Sequence, residues 1–197
     1  MTRKVFLEIW ESFWNKLRRF IDFCVCVYFF PEGISVIRFL GNKGLTTIVE
    51  KFFLYIISKR LLVEGDILEI GSLAGPSSIL LAAGNEASLR KAKVWLVEPY
   101  PKPSKKEFLN VFKARNLDKH VDLIDKTSKE ARRTINPQLR FIFVDGDHRY
   151  EYVKKDILLW QDCLNDGGII AFHDYKWEGV LKAVDELIKE SDKFITL

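Results

Sequence analysis

The fold is decided by residues 66–78, which read DILEIGSLAGPSS. An apolar run ends here in glycine and small residues, and a helical stretch follows from about Ser77. Such a strand–turn–helix unit forms a nest of backbone N–H groups for a polar ligand at the helix N-terminus. Gly71 and Gly75 can adopt backbone angles closed to other residues and let a ligand approach closely. Glycine also serves tight turns structurally, so the turn needs a second feature before it indicates a binding site.

Glu98 supplies that second feature, at the end of the apolar run 94–97. An acidic residue at the tip of the second strand can accept hydrogen bonds from both ribose hydroxyls of an adenosine-containing ligand, and one is expected ~20 residues after the turn. A surface glutamate before Pro99 is the simpler alternative. The turn lacks the GxGxxG spacing, and no phosphate-binding Lys-Ser or Lys-Thr follows, which excludes a P-loop.

Short apolar runs separated by helical spacers continue to the end of the chain. Continuous apolar runs that alternate with helices are typical of a parallel sheet covered on both faces. We therefore predict an α/β fold, a doubly wound, Rossmann-like, mostly parallel sheet. The expected strands are 66–70, 94–97, 121–124, 141–144 and 168–172, and the expected helices after the first strand are 77–83, 105–115, 150–164 and 178–190.

Acidic and histidine residues follow the fourth and fifth predicted strands, in VDGDHRY (144–150) and AFHDY (171–175). The carboxyl ends of neighbouring strands face one crevice in such a sheet, so Asp145, His148, His173 and Asp174 can converge. Carboxylates with imidazoles suit a divalent cation: Mg²⁺ where oxygen dominates, Mn²⁺ or Fe²⁺ where imidazole binds. A free histidine beside it could remove a proton from a substrate hydroxyl. Helix-capping aspartates and ordinary loop histidines are the structural alternative.

Residues 1–60 differ in composition from the rest, and we divide the chain into an aromatic-rich helical arm or lid (1–60) and a catalytic domain (61–197). Residues 1–55 hold 13 of the 26 aromatic residues. An apolar stripe at helical spacing runs from Phe6 to Cys24, Pro31 and Gly33 end it, and a second helix is expected over about 45–62. The arm is predicted to cap the substrate pocket, to lie on a membrane surface, or to pack against the sheet or a second subunit.

Charge, cysteine content and apolar runs restrict the binding partners and the cellular compartment that we expect. The formal net charge of +4 is a mild excess, and no basic stripe with interleaved aromatics argues for nucleic acid. Three cysteines without a CxxC pair fit a reducing, cytoplasmic setting. Charged residues interrupt the first twenty positions, so no signal peptide is predicted, and the longest apolar uncharged run is too short for the ~20 residues of a membrane span.

Four segments together resemble the class I S-adenosylmethionine-dependent methyltransferases, in particular the subgroup of macrocin-type sugar O-methyltransferases and cephalosporin-hydroxylase-like proteins. The segments are LEIGSLAGPSS, VWLVEPYP, FIFVDGDHRYEYVKKDILLW and LNDGGIIAFHDY. They stand in the expected order and cover roughly residues 64–190. DGDHxY with GGIIxFHDY is far more specific than the glycine turn alone.

The resemblance implies O-methylation of a small hydroxylated acceptor, a sugar or a phenol. It places S-adenosylmethionine over Glu69, Gly71, Ser72 and Gly75, with Glu98 on the ribose, and we add Ser77 and Asp145 to the cofactor site. In metal-dependent relatives the strand-four aspartate and the two residues that end strand five hold the cation, Mg²⁺ or Mn²⁺. Those positions here are Asp145, His173 and Asp174, and His148 matches the general base.

The chain departs from those relatives at three points. Thr127 stands where relatives often carry an acid near the adenine, and His173 where the sugar-modifying relatives tend to carry an acid. Their sheet normally finishes with a strand pair, whereas this chain stops after residues 194–197, which predicts a missing last strand or a fragment. Other readings stay open: a non-catalytic protein that binds S-adenosylmethionine or a partner, and an oxygenase on His148, His173 and Asp174, which has no co-substrate signature. A dinucleotide oxidoreductase would need the absent GxGxxG-like turn.

Overall fold

The computed structural model describes residues 47–73, 75–101 and 104–194. The predicted helix from Phe6 to Cys24, its end at Pro31 and Gly33, and the predicted roles of the arm before residue 47 lie outside the described residues. So do residues 195–197.

The described residues form a sheet of five strands, and every pairing among these strands is parallel. The spatial order is β3-β2-β1-β4-β5. In chain order, β2 and β3 are therefore added on one side of β1, and the chain then crosses over to place β4 and β5 on the other side. This reversal creates a crevice at the carboxyl ends of β1 and β4. The strands are β1 (Asp66–Ile70), β2 (Val94–Val97), β3 (Val121–Ile124), β4 (Leu139–Val144) and β5 (Leu164–Phe172).

Within the described ranges, six α-helices surround the sheet, which confirms the doubly wound prediction. They are α1 (Ile48–Arg60), α2 (Pro76–Glu86), α3 (Lys105–Lys113), α4 (Ser128–Thr134), α5 (Tyr150–Trp160) and α6 (Glu178–Val184), with one turn of π-helix (Asp185–Lys189) after α6. Two short 3₁₀ turns, Asp118–His120 and Gln161–Cys163, precede β3 and β5. In the part of the chain that the structure describes, no strand follows β5.

Alternation along the strands divides the core between two faces. Ile67 of β1 packs with Phe141 of β4 and with helices α1, α2 and α3 on one face. The next residue, Leu68, packs with Ile142 and with Trp160 of α5 on the opposite face. Successive strand side chains point to opposite sides, so a strand buried on both faces is apolar throughout.

Helix α1, which the sequence groups with the arm, is built into this core. Leu54 is buried in the first core face, and the Ser58 hydroxyl donates a hydrogen bond to the Leu81 carbonyl oxygen of α2 at 2.6 Å. A Cβ atom at Gly84 would lie 2.3 Å from the Tyr55 carbonyl oxygen, so glycine permits the close approach of α1 and α2. The described helices include none that combines the length and apolar character needed to cross a bilayer.

Candidate functional site

Backbone hydrogen bonds carry the sheet ladder one residue past the strands and align the predicted site residues at one edge. Gly71 N–H donates to the Val97 carbonyl oxygen at 2.9 Å, and Asp145 N–H donates to that of Ile70 at 2.8 Å. His173 N–H donates to the Val144 carbonyl oxygen at 3.0 Å. The turn after β1 and the residues after β4 and β5 therefore stand side by side at the crevice.

The turn after β1 depends on two glycines with left-handed backbone angles. Gly71 has φ +93° and Gly75 has φ +84°. A Cβ atom at Gly71 would lie 2.2 Å from the Asp145 carbonyl oxygen, so only glycine lets β1 and β4 close at this point. Gly75 is the N-cap residue of α2, and Pro76 opens the helix. The N-terminus of α2 consequently faces the turn with its backbone N–H groups, as a polar ligand requires.

Glu69 lies beneath this turn and is fully buried. The Ser78 hydroxyl donates to its Oε2 atom. Burial raises the pKa of Glu69 to about 7, although the nearby hydroxyls of Ser77, Ser78 and Ser72 act in the opposite direction. Within the described residues, neither Oε1 of Glu69 nor the Ser72 hydroxyl has a hydrogen-bond partner. Buried polar atoms are normally satisfied, so these two atoms fit a polar ligand group at the turn.

Glu98 is buried at the tip of β2, with 6% of its surface exposed. Its Oε2 accepts a hydrogen bond from Leu73 N–H at 2.7 Å, and its Oε1 accepts one from Tyr100 N–H at 2.8 Å. The carboxylate therefore ties the glycine turn to the β2 loop. Each carboxylate oxygen accepts more than one hydrogen bond, so ribose hydroxyls still find acceptors here.

The second group of predicted residues forms a cluster on the other side of the crevice. Nδ1 of His173 lies 3.0 Å from Oδ1 of Asp145 and 3.4 Å from Oδ2 of Asp174. Nε2 of His148 lies 3.3 Å from the same Oδ2 of Asp174. The structure thus brings together all four residues that the sequence placed at this edge.

The nitrogens of the cluster point to a ligand rather than to internal hydrogen bonds. Nε2 of His148 and Nδ1 of His173 are buried and have no hydrogen-bond partner among residues 47–73, 75–101 and 104–194, because the nearby oxygens are close but misaligned. One ligand atom each from Asp145, His148 and His173 lies within 4.8 Å of the others. Burial, followed by the negative charges of Glu69, Asp174 and Glu50, raises the pKa of Asp145 to about 8. A cation would relieve this crowding of carboxylates, so the donor set fits one.

A pocket of about 390 Å³ opens beside the cluster. It is lined by Asp147, His148, Arg149, Trp177, Glu178 and Gly179. The Trp177 ring is 58% exposed, and its centroid lies 4.8 Å from that of the His148 ring. Arg149 pairs with Asp147 through a 2.6 Å contact between Nη2 and Oδ2. The pocket therefore offers an aromatic surface and polar groups next to a histidine nitrogen.

Two further residues are informative about the site. Thr127, which replaces the acid expected near the adenine, is the N-cap residue of α4 and forms a capping box with Glu130. Glu50 of α1 approaches the cluster, with Oε1 3.8 Å from Nε2 of His173. Glu50 is not among the site residues predicted from the sequence, because its only local signal, Thr47 three residues earlier, indicates a helix start and no chemistry.

The all-parallel sheet with its reversal at β1, and the glycine turn above a buried acid, define the class I methyltransferase fold. Residues 68–175 match the family described as "Methyltransferase domain". The chain belongs to this methyltransferase family, which confirms the resemblance seen in the sequence.

Solved structures agree with the fold. The O-methyltransferase NovP superimposes with a TM-score of 0.64 at 20% identity, over 76% of this chain and 77% of that one. The TDP-rhamnose 3'-O-methyltransferase CalS11 superimposes with a TM-score of 0.57 at 18% identity, over 80% of this chain and 84% of that one. An O-methyltransferase from Bacillus cereus in complex with SAH superimposes with a TM-score of 0.55 at 17% identity, over 82% of this chain and 79% of that one. These similarities show that the chain shares its fold with the three structures.

Among curated proteins, this chain is similar to an uncharacterized protein of Acanthamoeba polyphaga mimivirus. The two are 34% identical over 61 residues, which are 29% of this chain and 28% of that protein. The matched segment thus spans less than a third of that relative.

Proposed function

We propose that the protein is an S-adenosylmethionine-dependent O-methyltransferase that methylates a hydroxyl group of a small acceptor with the help of a divalent cation. The observation that carries the proposal is the contiguity of two groups at one crevice. The glycine turn contacts the backbone of Asp145 through Gly71, and Asp145 belongs to the histidine and aspartate cluster. A methyl donor on the turn and an acceptor hydroxyl at the cluster would then be neighbours.

The cofactor residues have separable roles in this proposal. Gly71 and Gly75 admit the ligand, and Glu98 accepts hydrogen bonds from the ribose hydroxyls. Oε1 of Glu69 and the hydroxyl of Ser72, which lack a hydrogen-bond partner among the described residues, bind polar groups of the cofactor. Ser77 lies at the start of α2 and is also buried. S-adenosylmethionine supplies an electrophilic methyl group when bound, and holding the acceptor oxygen in line with it is the main task of the chain.

Asp145, His173 and Asp174 would hold the cation, as the resemblance implies. The 3.0 Å and 3.4 Å separations of their ligand atoms compare with the ~3 Å between neighbouring ligands of an octahedral ion with bonds of about 2.1 Å. When bound, a cation there would lower the pKa of a coordinated hydroxyl.

His148 would take the proton of the acceptor hydroxyl at Nε2, which has no hydrogen-bond partner in the described parts of the chain. The imidazolium that results would be stabilised by the Asp174 carboxylate 3.3 Å away. His148 also lines the 390 Å³ pocket with Trp177. Aromatic stacking and carboxylates suit a hydroxylated ring, so a sugar or a phenol is the acceptor class we propose, in line with CalS11, which is a TDP-rhamnose 3'-O-methyltransferase.

Calorimetric titration with S-adenosylmethionine, with and without Mg²⁺ or Mn²⁺, tests the proposal, followed by an acceptor screen that begins with sugars and phenols. We expect micromolar cofactor binding, strengthened by metal in the presence of acceptor. Binding that is insensitive to metal would remove the cation from the proposal. If the protein does not bind the cofactor, the proposal fails and a partner-binding protein on this fold becomes the better explanation.

The role of His148 is tested by His148→Ala, with His120→Ala as the matched control at a histidine outside the cluster. We expect His148→Ala to abolish turnover while the affinities for cofactor and Mn²⁺ stay within a few fold. Because Nε2 of His148 also lies within ligand distance of the cluster, a loss of Mn²⁺ binding in this variant would show that His148 is a ligand and not the base.

An oxygenase is the second candidate, favoured by one observation. The cluster of Asp145, His148 and His173 contains two imidazoles and one carboxylate, a donor set typical of non-haem Fe²⁺ oxygenases. Oxygen consumption with Fe²⁺ and without S-adenosylmethionine would favour it over methyl transfer.

A further inference from the structure

Glu50 holds an anchored position at the start of α1. Its Oε2 accepts a hydrogen bond from Thr47 N–H at 2.6 Å, and Glu50 N–H donates to the Thr47 hydroxyl at 3.3 Å. This capping box fixes one oxygen of the carboxylate. The other oxygen, Oε1, is left to face Nε2 of His173 at 3.8 Å.

The position of Glu50 relative to β5 is set by the packing of α1. Ser58 and Leu54 lock this helix onto α2 and the sheet. His173 is 8% exposed and follows β5 directly. The two side chains therefore meet through rigid elements, as precise positioning requires.

The two ring nitrogens of His173 face different groups. Nδ1 faces the oxygens of Asp145 and Asp174, while Nε2 faces Glu50. A neutral imidazole carries one N–H, and carboxylates beside its two nitrogens compete for that proton. Asp145 and Asp174 are nearer to Nδ1 than Glu50 is to Nε2, so Glu50 is the group that raises the share of the Nε2–H tautomer against them. A proton on Nε2 leaves the Nδ1 lone pair directed at the oxygens, which is the arrangement that a cation between them needs. Histidines that bind metals generally donate their other N–H to a carboxylate, a carbonyl or a water.

We propose that Glu50 is a positioning residue that stabilises the Nε2–H tautomer of His173, the tautomer in which Nδ1 can bind the cation. This inference rests on the cation site of the proposed function. Glu50 lies before residues 68–175, so the family match does not include it. At 3.8 Å the contact is electrostatic, and one bridging water or a small rotation of the Glu50 side chain makes it a hydrogen bond.

Glu50→Gln is the informative variant because glutamine keeps the shape and the capping box. Its single amide oxygen remains with Thr47 N–H, so its NH₂ group turns toward Nε2 of His173 and favours the wrong tautomer. We expect at least a tenfold loss of Mn²⁺ affinity, measured by calorimetry, in line with the ~10–100-fold effect of such outer partners. Glu130→Gln, in the equivalent capping box of α4, is the matched control and should leave Mn²⁺ affinity within about twofold.

The tautomer itself is read from the ¹⁵N chemical shifts of His173 in the metal-free protein, independently of activity and of metal binding. We expect a larger Nε2–H population in the wild type than in Glu50→Gln. An equal Nε2–H population in the two proteins, or an unchanged Mn²⁺ affinity in Glu50→Gln, would overturn the inference. If the wild type binds no Mn²⁺ but the two proteins show the expected difference in tautomer, the cation site is ruled out while the effect of Glu50 on His173 is retained.

Discussion

Gly71 lies against the backbone of Asp145, so that a Cβ atom at position 71 would come within 2.2 Å of the Asp145 carbonyl oxygen. The glycine turn after β1 and the histidine and aspartate cluster meet at this contact. Two properties make the position intolerant: the backbone angle of φ +93° and the absence of space.

Gly71→Ala is expected to push β1 and β4 apart at their carboxyl ends. We predict a loss of ~1–3 kcal/mol in the free energy of unfolding and more than a tenfold loss of affinity for S-adenosylmethionine. Gly167→Ala is the control, because Gly167 shares a left-handed angle (φ +76°) but its Cβ would meet only Val63 Cγ2 at 3.4 Å. Denaturant unfolding and calorimetry measure both effects, and equal cofactor affinity in the two variants would contradict the prediction.

The burial of Glu69 makes stability depend on pH. Its pKa is about 7 in the folded protein and 4.5 ordinarily, so between these values the folded protein keeps a proton that the unfolded chain releases. The free energy of unfolding therefore falls as pH rises from about 4.5 to about 7. Glu69→Gln removes this pH dependence. As pH rises across that range, the free energy of unfolding of the variant should therefore increase relative to that of the wild type by up to ~3 kcal/mol. Urea unfolding at a series of pH values checks this, and parallel pH profiles for the two proteins would show that Glu69 is not the cause.

Glu98 accepts backbone hydrogen bonds that hold the two loops in place and, in the proposed function, it also binds the ribose. Glu98→Gln removes the charge while keeping an acceptor for one of the two backbone N–H groups, those of Leu73 and Tyr100. A hydrogen bond to a charged group is worth ~1.5–3 kcal/mol, so cofactor affinity should fall by about 10–100-fold. Glu107→Gln, at a glutamate whose carboxylate accepts a hydrogen bond from the hydroxyl of Ser104, the N-cap residue of α3, should have no such effect in the same titration. A comparable loss in both variants would count against a ribose contact.

Trp177 is predicted to bind the acceptor and not the cofactor. Its exposed ring stands beside His148 in the pocket, and ring stacking together with the area it buries predicts about a tenfold rise in the KM of the acceptor for Trp177→Ala. Trp177→Phe should recover most of this loss. Tyr152→Ala, at an aromatic residue that stacks with Arg149, serves as the control in steady-state kinetics. A change in cofactor affinity instead of acceptor KM would place Trp177 elsewhere in the site.

Much of the sheet could be predicted because buried parallel strands are continuous apolar runs. β1, β2 and β3 match their predicted bounds, whereas β5 begins at Leu164, four residues before the predicted start. A turn is indicated there by two polar residues, Asn165 and Asp166, and by the left-handed backbone angle of Gly167. In the structure, the pairing of β5 with β4 shifts register in this segment and then continues. Helix α4 was missed because seven residues with a single buried side chain, Ala131, give no apolar period.

The site residues also divide into those that the sequence could predict and one that it could not. Asp145, His148, His173 and Asp174 follow strands directly, so the topology of the sheet predicts their meeting, and the structure brings them within 3.0–3.4 Å contacts. Glu50 could not be found because its approach to His173 depends on how α1 packs, which no local pattern encodes. The roles of these residues in catalysis and metal binding stay predictions.

The placement of β4 between β1 and β5 also has a consequence for biosynthesis. The glycine turn after β1 is translated early, but it packs against the backbone of Asp145, which leaves the ribosome only after β1 to β4 and helices α1 to α4 have been made. The turn therefore stays open in the nascent chain until β4 inserts beside β1. Contacts between distant parts of the sequence form slowly, so cofactor capture should be among the last events of folding and should report that the sheet has closed.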